Sequence, residues 1–212
     1  MIKVDVWSDI NCPFCYIGKR HLEQALEKFP KRDQVVIEWK CFELDPDTHP
    51  EKGSDNLEML AKKYGKDRTW AQAMNNNLTE MAAMAGIDFH LEKVIPANSF
   101  NAHRLLHLAK LYKMQDPLQE KLLAAKFIEG KDISDPAVLK SIALDIGLDT
   151  EEVLRFLDSN KFSQEVREDE AMAAKLGITG VPFFVFNESQ ALSGAHPVET
   201  FVDVLTKAHP LT

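Results

Sequence analysis

Apolar and polar residues alternate from Ile2 to Trp7 (Ile-Lys-Val-Asp-Val-Trp), the period of two that a β-strand imposes. The spacing then changes. Tyr16, Ile17, Leu22, Ala25, Leu26 and Phe29 recur at helical intervals, as on a helix with one buried face. Residues 34–42 (Gln-Val-Val-Ile-Glu-Trp-Lys-Cys-Phe) read as a second strand, rich in β-branched and aromatic side chains. Strand, helix and strand in such close succession predict a right-handed βαβ unit with parallel strands. Asp45-Pro46-Asp47 and His49-Pro50 break the pattern with turn chemistry.

From residue 54 to 176 the period is helical. Ser54 is placed to cap a helix that carries Leu57, Leu60 and Ala61 and ends at Gly65, and Trp70, Met74, Leu78, Met81 and Ala85 trace a stripe closed by Gly86. A helix runs from Ser99 through Leu105, Leu108 and Leu111, and another begins after Asp116-Pro117 with Leu118, Leu122 and Phe127. Asp135-Pro136 opens a short helix to Gly147, Thr150-Glu151-Glu152 starts the next, and the last spans 161–176 before Gly177. Caps, prolines and terminal glycines fall where helix ends need them. Residues 181–186 (Val-Pro-Phe-Phe-Val-Phe) then predict a strand, Asn187-Glu188 a turn, 190–193 the return of a hairpin, and 197–207 an amphipathic helix bearing Val198, Phe201, Val202 and Leu205. The predicted order is βαβ, helical block, ββα: an α/β fold with a large all-helical insertion between its second and third strands. Residues 1–50 and 177–212 are expected to form one domain and 51–176 the inserted one.

A chain of 212 residues is long enough for one large domain or one with such an insertion. A net charge of −8 argues against nucleic acid or an anionic membrane as partner, and no apolar run approaches the ~20 residues that span a bilayer. Met1 leads straight into the first strand without a basic, apolar and cleavable leader, so a cytoplasmic location is expected. In a reducing cytosol, paired cysteines point to catalysis or redox sensing more than to a structural staple.

Those cysteines are Cys12-Pro13-Phe14-Cys15, placed where the first strand turns into the first helix. Unpaired N–H groups and the positive end of a helix favour an anion there, and a thiolate is the anion on offer. Cysteines so placed have pKa values lowered from ~8.5 to roughly 3.5–7.5. An exposed Cys12 thiolate with Cys15 one turn behind it is a device for thiol–disulfide exchange, Cys12 attacking and Cys15 resolving. Pro13 suits the first helical turn, and Phe14 either offers substrate an apolar face or packs. The competing reading is a zinc half-site or two buried thiols. A closed zinc site takes four N or S ligands, and only Cys41 remains, expected to be a small buried hydrophobe. His103 and His107 lie four apart on one helix, but no carboxylate or cysteine at matching spacing completes a metal set, so both are expected to pack and no metal is expected. Arg104 is expected in a cleft or a surface salt bridge, Asn98 or Ser99 as a helix cap, and Met74, Met81 and Met84 mostly in the core.

Five segments carry a resemblance along nearly the whole chain: residues 8–18 around the cysteine pair, Phe42-Glu43-Leu44-Asp45-Pro46, Asn98-Ser99 with Ala102-His103-Arg104-Leu105, Gly177-Ile178-Thr179-Gly180-Val181-Pro182-Phe183-Phe184, and Ser193-Gly194-Ala195-His196-Pro197. With these the chain resembles the DsbA-like thioredoxin superfamily, and within it the FrnE-like branch of cytosolic dithiol–disulfide oxidoreductases. Kappa-class glutathione transferases and hydroxychromene-carboxylate isomerases share the architecture but carry serine where this chain has Cys12. The resemblance implies a thioredoxin fold and a cis Val181–Pro182 bond facing the cysteines, with Val181 backbone groups turned toward an extended peptide. It also suggests that N–H groups of Gly194, Ala195 and His196 hold a carboxylate such as that of glutathione, against the plainer reading of a loop and helix start. The expected activity is disulfide exchange on proteins or small-molecule thiols, with no bound cofactor and with glutathione or a thioredoxin-type protein resetting the pair. A glutathione-dependent transferase or cis–trans isomerase is the nearest alternative, and a redox-regulated chaperone a third.

Overall fold

The structure, a computed structural model, describes residues 1–50 and 53–208. The expected segment limits at 51 and 212 fall outside the described residues. Strand β1 (Ile2–Ser8) leads into helix α1 (Pro13–Lys28) and returns as β2 (Val35–Cys41), which pairs with β1 in parallel from Ile2 opposite Val35 to Ser8 opposite Cys41. Seven helices follow: α2 (Asn56–Tyr64), α3 (Arg68–Met84), α4 (Phe100–Leu111), α5 (Gln115–Phe127), α6 (Pro136–Asp145), α7 (Thr150–Leu157) and α8 (Ser163–Lys175). The chain then re-enters the sheet as β3 (Phe183–Phe186), antiparallel to β1, forms a hairpin with β4 (Gln190–Ser193) and ends in α9 (Val198–Ala208). Sheet order is β2-β1-β3-β4. This is the βαβ, helical, ββα order of a thioredoxin fold with its insertion after the second strand.

Local details depart from expectation in three places. Asp55 caps α2, its carboxylate accepting from the N–H groups of Leu57 and Glu58, a stronger acceptor than the hydroxyl of Ser54 would be. Helix α5 begins at Gln115, and Pro117 sits in its first turn, where no N–H is required. Strand β3 starts at Phe183 because Pro182 has no N–H to give to the ladder.

One core lies between sheet and helices: Val4, Val6, Phe184 and Phe186 pack on Leu22 and Ala25 of α1 and on Phe201 and Leu205 of α9. A second fills the helical segment around Leu105, Leu122, Leu139 and Phe156, and Ile10 reaches into it from the β1–α1 turn. A third sets Tyr16 and Ile17 of α1 against Leu78, Phe89 and Phe127. Helix α1 therefore faces the sheet on one side and the inserted helices on the other. Its buried Lys19 meets Glu23, Asp116 at 3.4 Å and Glu120 at 3.1 Å, while the Tyr16 hydroxyl donates to Glu120 at 2.6 Å. Gln115 closes the edge of β2, accepting from the Trp39 N–H at 3.0 Å and donating to the Trp39 carbonyl at 2.9 Å. No helix among the described residues is long and apolar enough to cross a membrane.

The middle of α1 touches the loop before β3. A Cβ at Gly18 would lie 3.0 Å from Cγ of Pro182 and 3.2 Å from Cζ of Phe184. Only hydrogen fits comfortably. Gly18→Val should lower stability by roughly 1–3 kcal/mol in urea unfolding, the scale of overpacking in a filled core; an unchanged midpoint would show that the contact is slack.

On the outer side of the sheet, Glu38 of β2 pairs with Lys40, with Lys110 of α4 at 2.6 Å and with Lys3 at 3.4 Å. Burial opposes its ionisation, but the hydrogen bonds from Lys110 and Lys40 outweigh burial and hold the carboxyl at about 2. An unfolded chain takes up this proton near the ordinary glutamate value of ~4.3. The stabilisation is thus complete above that value and lost as pH falls toward about 2. In Glu38→Gln, the acid limb of stability across that window should flatten; an acid limb identical to the parent's would exclude this pairing as its source.

Candidate functional site

Cys12 is the N-cap of α1, with extended backbone (φ −103°, ψ 110°), and Pro13 occupies the first helical position. No side chain caps the helix and its first turn holds no acidic residue, so the positive end stays open to the Cys12 sulfur. The turn is locked by the Cys12 N–H bonding to the Asp9 carbonyl at 3.1 Å and the Cys15 N–H to the Cys12 carbonyl at 3.0 Å. All three cysteines are free thiols.

The expectation of an exposed Cys12 is corrected. Cys12 is 3% exposed and Cys15 1%. The chain at residues 180–181 lies over Cys12, whose Sγ donates to the Val181 carbonyl at 3.4 Å, so the sulfur opens onto a cleft and not onto bulk solvent. Burial, and next to it the neighbouring Cys12, push the Cys15 thiol well above its ordinary value, with the Ser8 hydroxyl working the other way. Cys15 therefore keeps its proton in the reduced pair.

The Val181–Pro182 bond is cis. Val181 borders the cleft, while Pro182 is buried behind it against Gly18. The structure does not bring Gly194, Ala195 and His196 into the cleft. The Gly194 N–H bonds to the Pro182 carbonyl at 2.8 Å and the His196 N–H to the Gly194 carbonyl at 3.0 Å, so two of the three groups expected to hold a carboxylate are already engaged. The segment's role here is to brace the proline loop, helped by the bond of 2.8 Å between His21 Nδ1 and the His196 carbonyl.

The cleft, of about 340 Å³, takes in Cys12, Pro13, Phe14 and Val181 from the expected residues. Phe14 fills both of its expected roles, lining the cleft and packing on the core that joins α1 to α3 and α5. Met74 and Leu78 of α3 and Leu91, Val94 and Phe127 supply further apolar wall, and the polar points include Asn11, Asn75, the Asp45 carboxylate and two lysines. One of these, Lys126, was not expected. It is 3% exposed, and its ammonium donates to the Ile95 carbonyl at 3.0 Å. Burial drives its pKa down to about 8, against the pull of Asp9 and Asp132. A signal for it existed in the sequence: Lys126 continues the stripe of Leu118 and Leu122 at four-residue intervals, an amine where a hydrophobe belongs.

Asp9, wholly buried in the turn before Cys12, accepts from the N–H of Asn11 at 3.0 Å and of Leu44 at 2.8 Å and lies 3.3 Å from His103 Nε2. Burial raises its pKa, but His103 and the two backbone N–H groups prevail and leave it below its ordinary value. Its function is structural: it ties the cysteine turn to the 43–45 loop and to α4. Arg104 neither lines the cleft nor forms a surface salt bridge. It is buried and donates to the carbonyls of Lys161 at 2.9 Å, Ser159 and Phe156, where helix α7 ends. Cys41 is buried as expected, and burial and Asp169 raise its thiol well above the ordinary value.

A probable DsbA oxidoreductase from Streptomyces coelicolor has a structure similar to this one, with 39% sequence identity, a TM-score of 0.93 and coverage of 100% of this chain and 93% of that one. The uncharacterised protein YwbO of Bacillus subtilis is 28% identical over 203 residues, 94% of either chain. The cytosolic disulfide reductase DsbM from Pseudomonas aeruginosa shares the fold at 14% identity, with a TM-score of 0.66 over 97% of this chain and 98% of that one. Residues 3–206 match the DSBA-like thioredoxin domain, and the chain belongs to that family, as an enzyme of the disulfide oxidoreductase class.

Proposed function

We propose that the protein is a cytosolic thiol–disulfide oxidoreductase of the FrnE-like kind, exchanging disulfides through Cys12 and Cys15. The observation that carries this reading is the uncapped end of α1 at Cys12, open to a cleft, with the free, buried Cys15 thiol one turn behind. In the proposed cycle the Cys12 thiolate attacks one sulfur of a substrate disulfide, the S–S bond breaks, and the departing sulfur takes a proton. Cys15 then loses its proton and attacks the Cys12 sulfur, forming the Cys12–Cys15 disulfide and releasing the second substrate thiol. The substrate gains two electrons and the enzyme loses two; glutathione or a thioredoxin-type protein restores the dithiol. No cofactor is needed in this cycle. The cytosolic placement is supported by the fold shared with the cytosolic disulfide reductase DsbM.

Cys12→Ser should lower turnover of a mixed-disulfide substrate by ~10³-fold or more, the scale of removing a nucleophile. Cys15→Ser should instead accumulate covalent adducts on Cys12, visible by mass spectrometry. Full activity in Cys12→Ser removes the proposal. The largely apolar walls of the cleft beside Cys12 favour a second reading, a glutathione-dependent transferase or isomerase. Catalysis that survives Cys15→Ser and requires stoichiometric glutathione selects it.

Lys126 places a cation at the cleft that holds Cys12, so carboxylate-bearing disulfides should be preferred over uncharged ones. A charge-assisted hydrogen bond contributes ~1.5–3 kcal/mol, so Lys126→Met should reduce that preference in kcat/KM by roughly tenfold or more. Because the ammonium loses its proton through about pH 8, the parent's preference should fade as pH rises past that value. A preference that is indifferent to both pH and Lys126→Met assigns the lysine to structure alone.

A further inference from the structure

We propose that Cys41, His107 and Asp169 form a binding site for one zinc-type divalent metal ion, separate from the cysteine pair. They come from the end of β2, the middle of α4 and α8, and none of them lines the cleft. All three are buried, and one ligand atom from each, Sγ, an imidazole nitrogen and a carboxylate oxygen, lies within 4.8 Å of the others. A thiolate, an imidazole and a carboxylate make a donor set that suits zinc.

The imidazole supplies the independent sign of a ligand. His107 Nε2 lies 3.1 Å from Asp169 Oδ2 yet off the line of a hydrogen bond, which leaves this buried nitrogen without a hydrogen-bond partner. Buried polar atoms left in this way call for an explanation. Two donors on a common ion meet in this manner, edge to edge. With Zn–N and Zn–O near 2.0–2.2 Å and Zn–S near 2.3 Å, tetrahedral edges come to ~3.3–3.6 Å. The His–Asp separation is close to such an edge, and drawing in the sulfur takes a movement of roughly 1 Å on the same scale.

The surroundings hold the donors in place. Asp169 Oδ2 accepts from the Cys41 N–H at 3.0 Å, Oδ1 faces Lys40 at 3.5 Å, and the Asp169 carbonyl accepts from the Trp7 indole at 3.0 Å. The His107 ring stacks on Phe162 with an interplanar angle of 19°. Metal entry replaces the Cys41 thiol proton, which leaves to solvent, and keeps a fourth position for water. The ion links the sheet to two helices of the insertion and stabilises the native chain by mass action.

The test begins with the metal-free Cys12→Ser/Cys15→Ser protein, in which the competing dithiol is gone. Cobalt titration should show one equivalent bound, with a thiolate-to-cobalt charge-transfer absorption that zinc abolishes by displacement. Zinc should also raise the melting temperature. Adding Cys41→Ala should remove the absorption and weaken cobalt binding by more than the ~10–100-fold that loss of an outer-shell partner causes. X-ray absorption of the zinc-loaded Cys12→Ser/Cys15→Ser protein needs no further substitution and should read one sulfur among nitrogen and oxygen ligands. A sulfur-free shell, no thiolate band at excess cobalt, or a band that persists in Cys41→Ala overturns the proposal.

Discussion

Where helix α1 crosses the loop before β3, the side chains of Pro182 and Phe184 press on its backbone at Gly18, where only hydrogen fits without a shift. Gly18 admits Pro182 to within 3.0 Å of where a Cβ would stand, and Phe184 to 3.2 Å. The residue before that proline, Val181, has its carbonyl 3.4 Å from Cys12 Sγ, so the same loop meets both the middle and the end of the helix. Residues 194–196 hold the proline loop from behind through their N–H and carbonyl groups. A β-branched residue at 18 would move the proline loop, and the sulfur would lose its neighbour without any change to the cysteines themselves.

The same helix is the seam between sheet and inserted helices. Its inner residues Leu22 and Ala25 complete the sheet core, while Tyr16 and Ile17 join the core shared with α3 and α5. Lys19, almost wholly buried, makes the seam electrostatic as well as apolar, because three carboxylates converge on one ammonium. Breaking one partner there leaves charge buried and uncompensated, which is why such a group fixes relative position more than it adds stability. The cleft beside Cys12 is a product of this seam: its walls come from α1, from α2 and α3, from the 91–97 segment and from the loop over the sulfur.

The periodic parts of this architecture were legible from residues alone. Alternation in 2–7 and helical stripes from 57 to 127 placed strands and helices because each has one buried face to satisfy. Cys12 and Cys15 were legible because a strand, a tight turn and a helix start are all local events. What failed were particular contacts between distant segments. Cys12 reads as exposed until residues 180–181 are laid over it, and Arg104 reads as lining a cleft or forming a surface salt bridge until the end of α7 brings three carbonyls to it. His107 seemed to lack ligating company because its partners lie 66 residues before it and 62 after it, at Cys41 and Asp169. Spacing along one helix cannot register either.

Burying an active thiol works against its anion, so the local field has to favour charge for exchange to proceed. Asp9 is the obstacle, a carboxylate wholly buried in the turn that carries Cys12. The structure gives it partners of its own: the N–H groups of Asn11 and Leu44 donate to its two oxygens and His103 Nε2 lies 3.3 Å away. The helix end remains uncapped by any side chain and free of acidic residues, and the Lys126 ammonium borders the same cavity. Two positive features thus face the cleft, alongside the Asp45 carboxylate, while Asp9 is held by hydrogen bonds in the turn behind it. In the proposed exchange, a negatively charged substrate entering such a space would pass the Lys126 ammonium and the positive helix end on its way to the Cys12 sulfur.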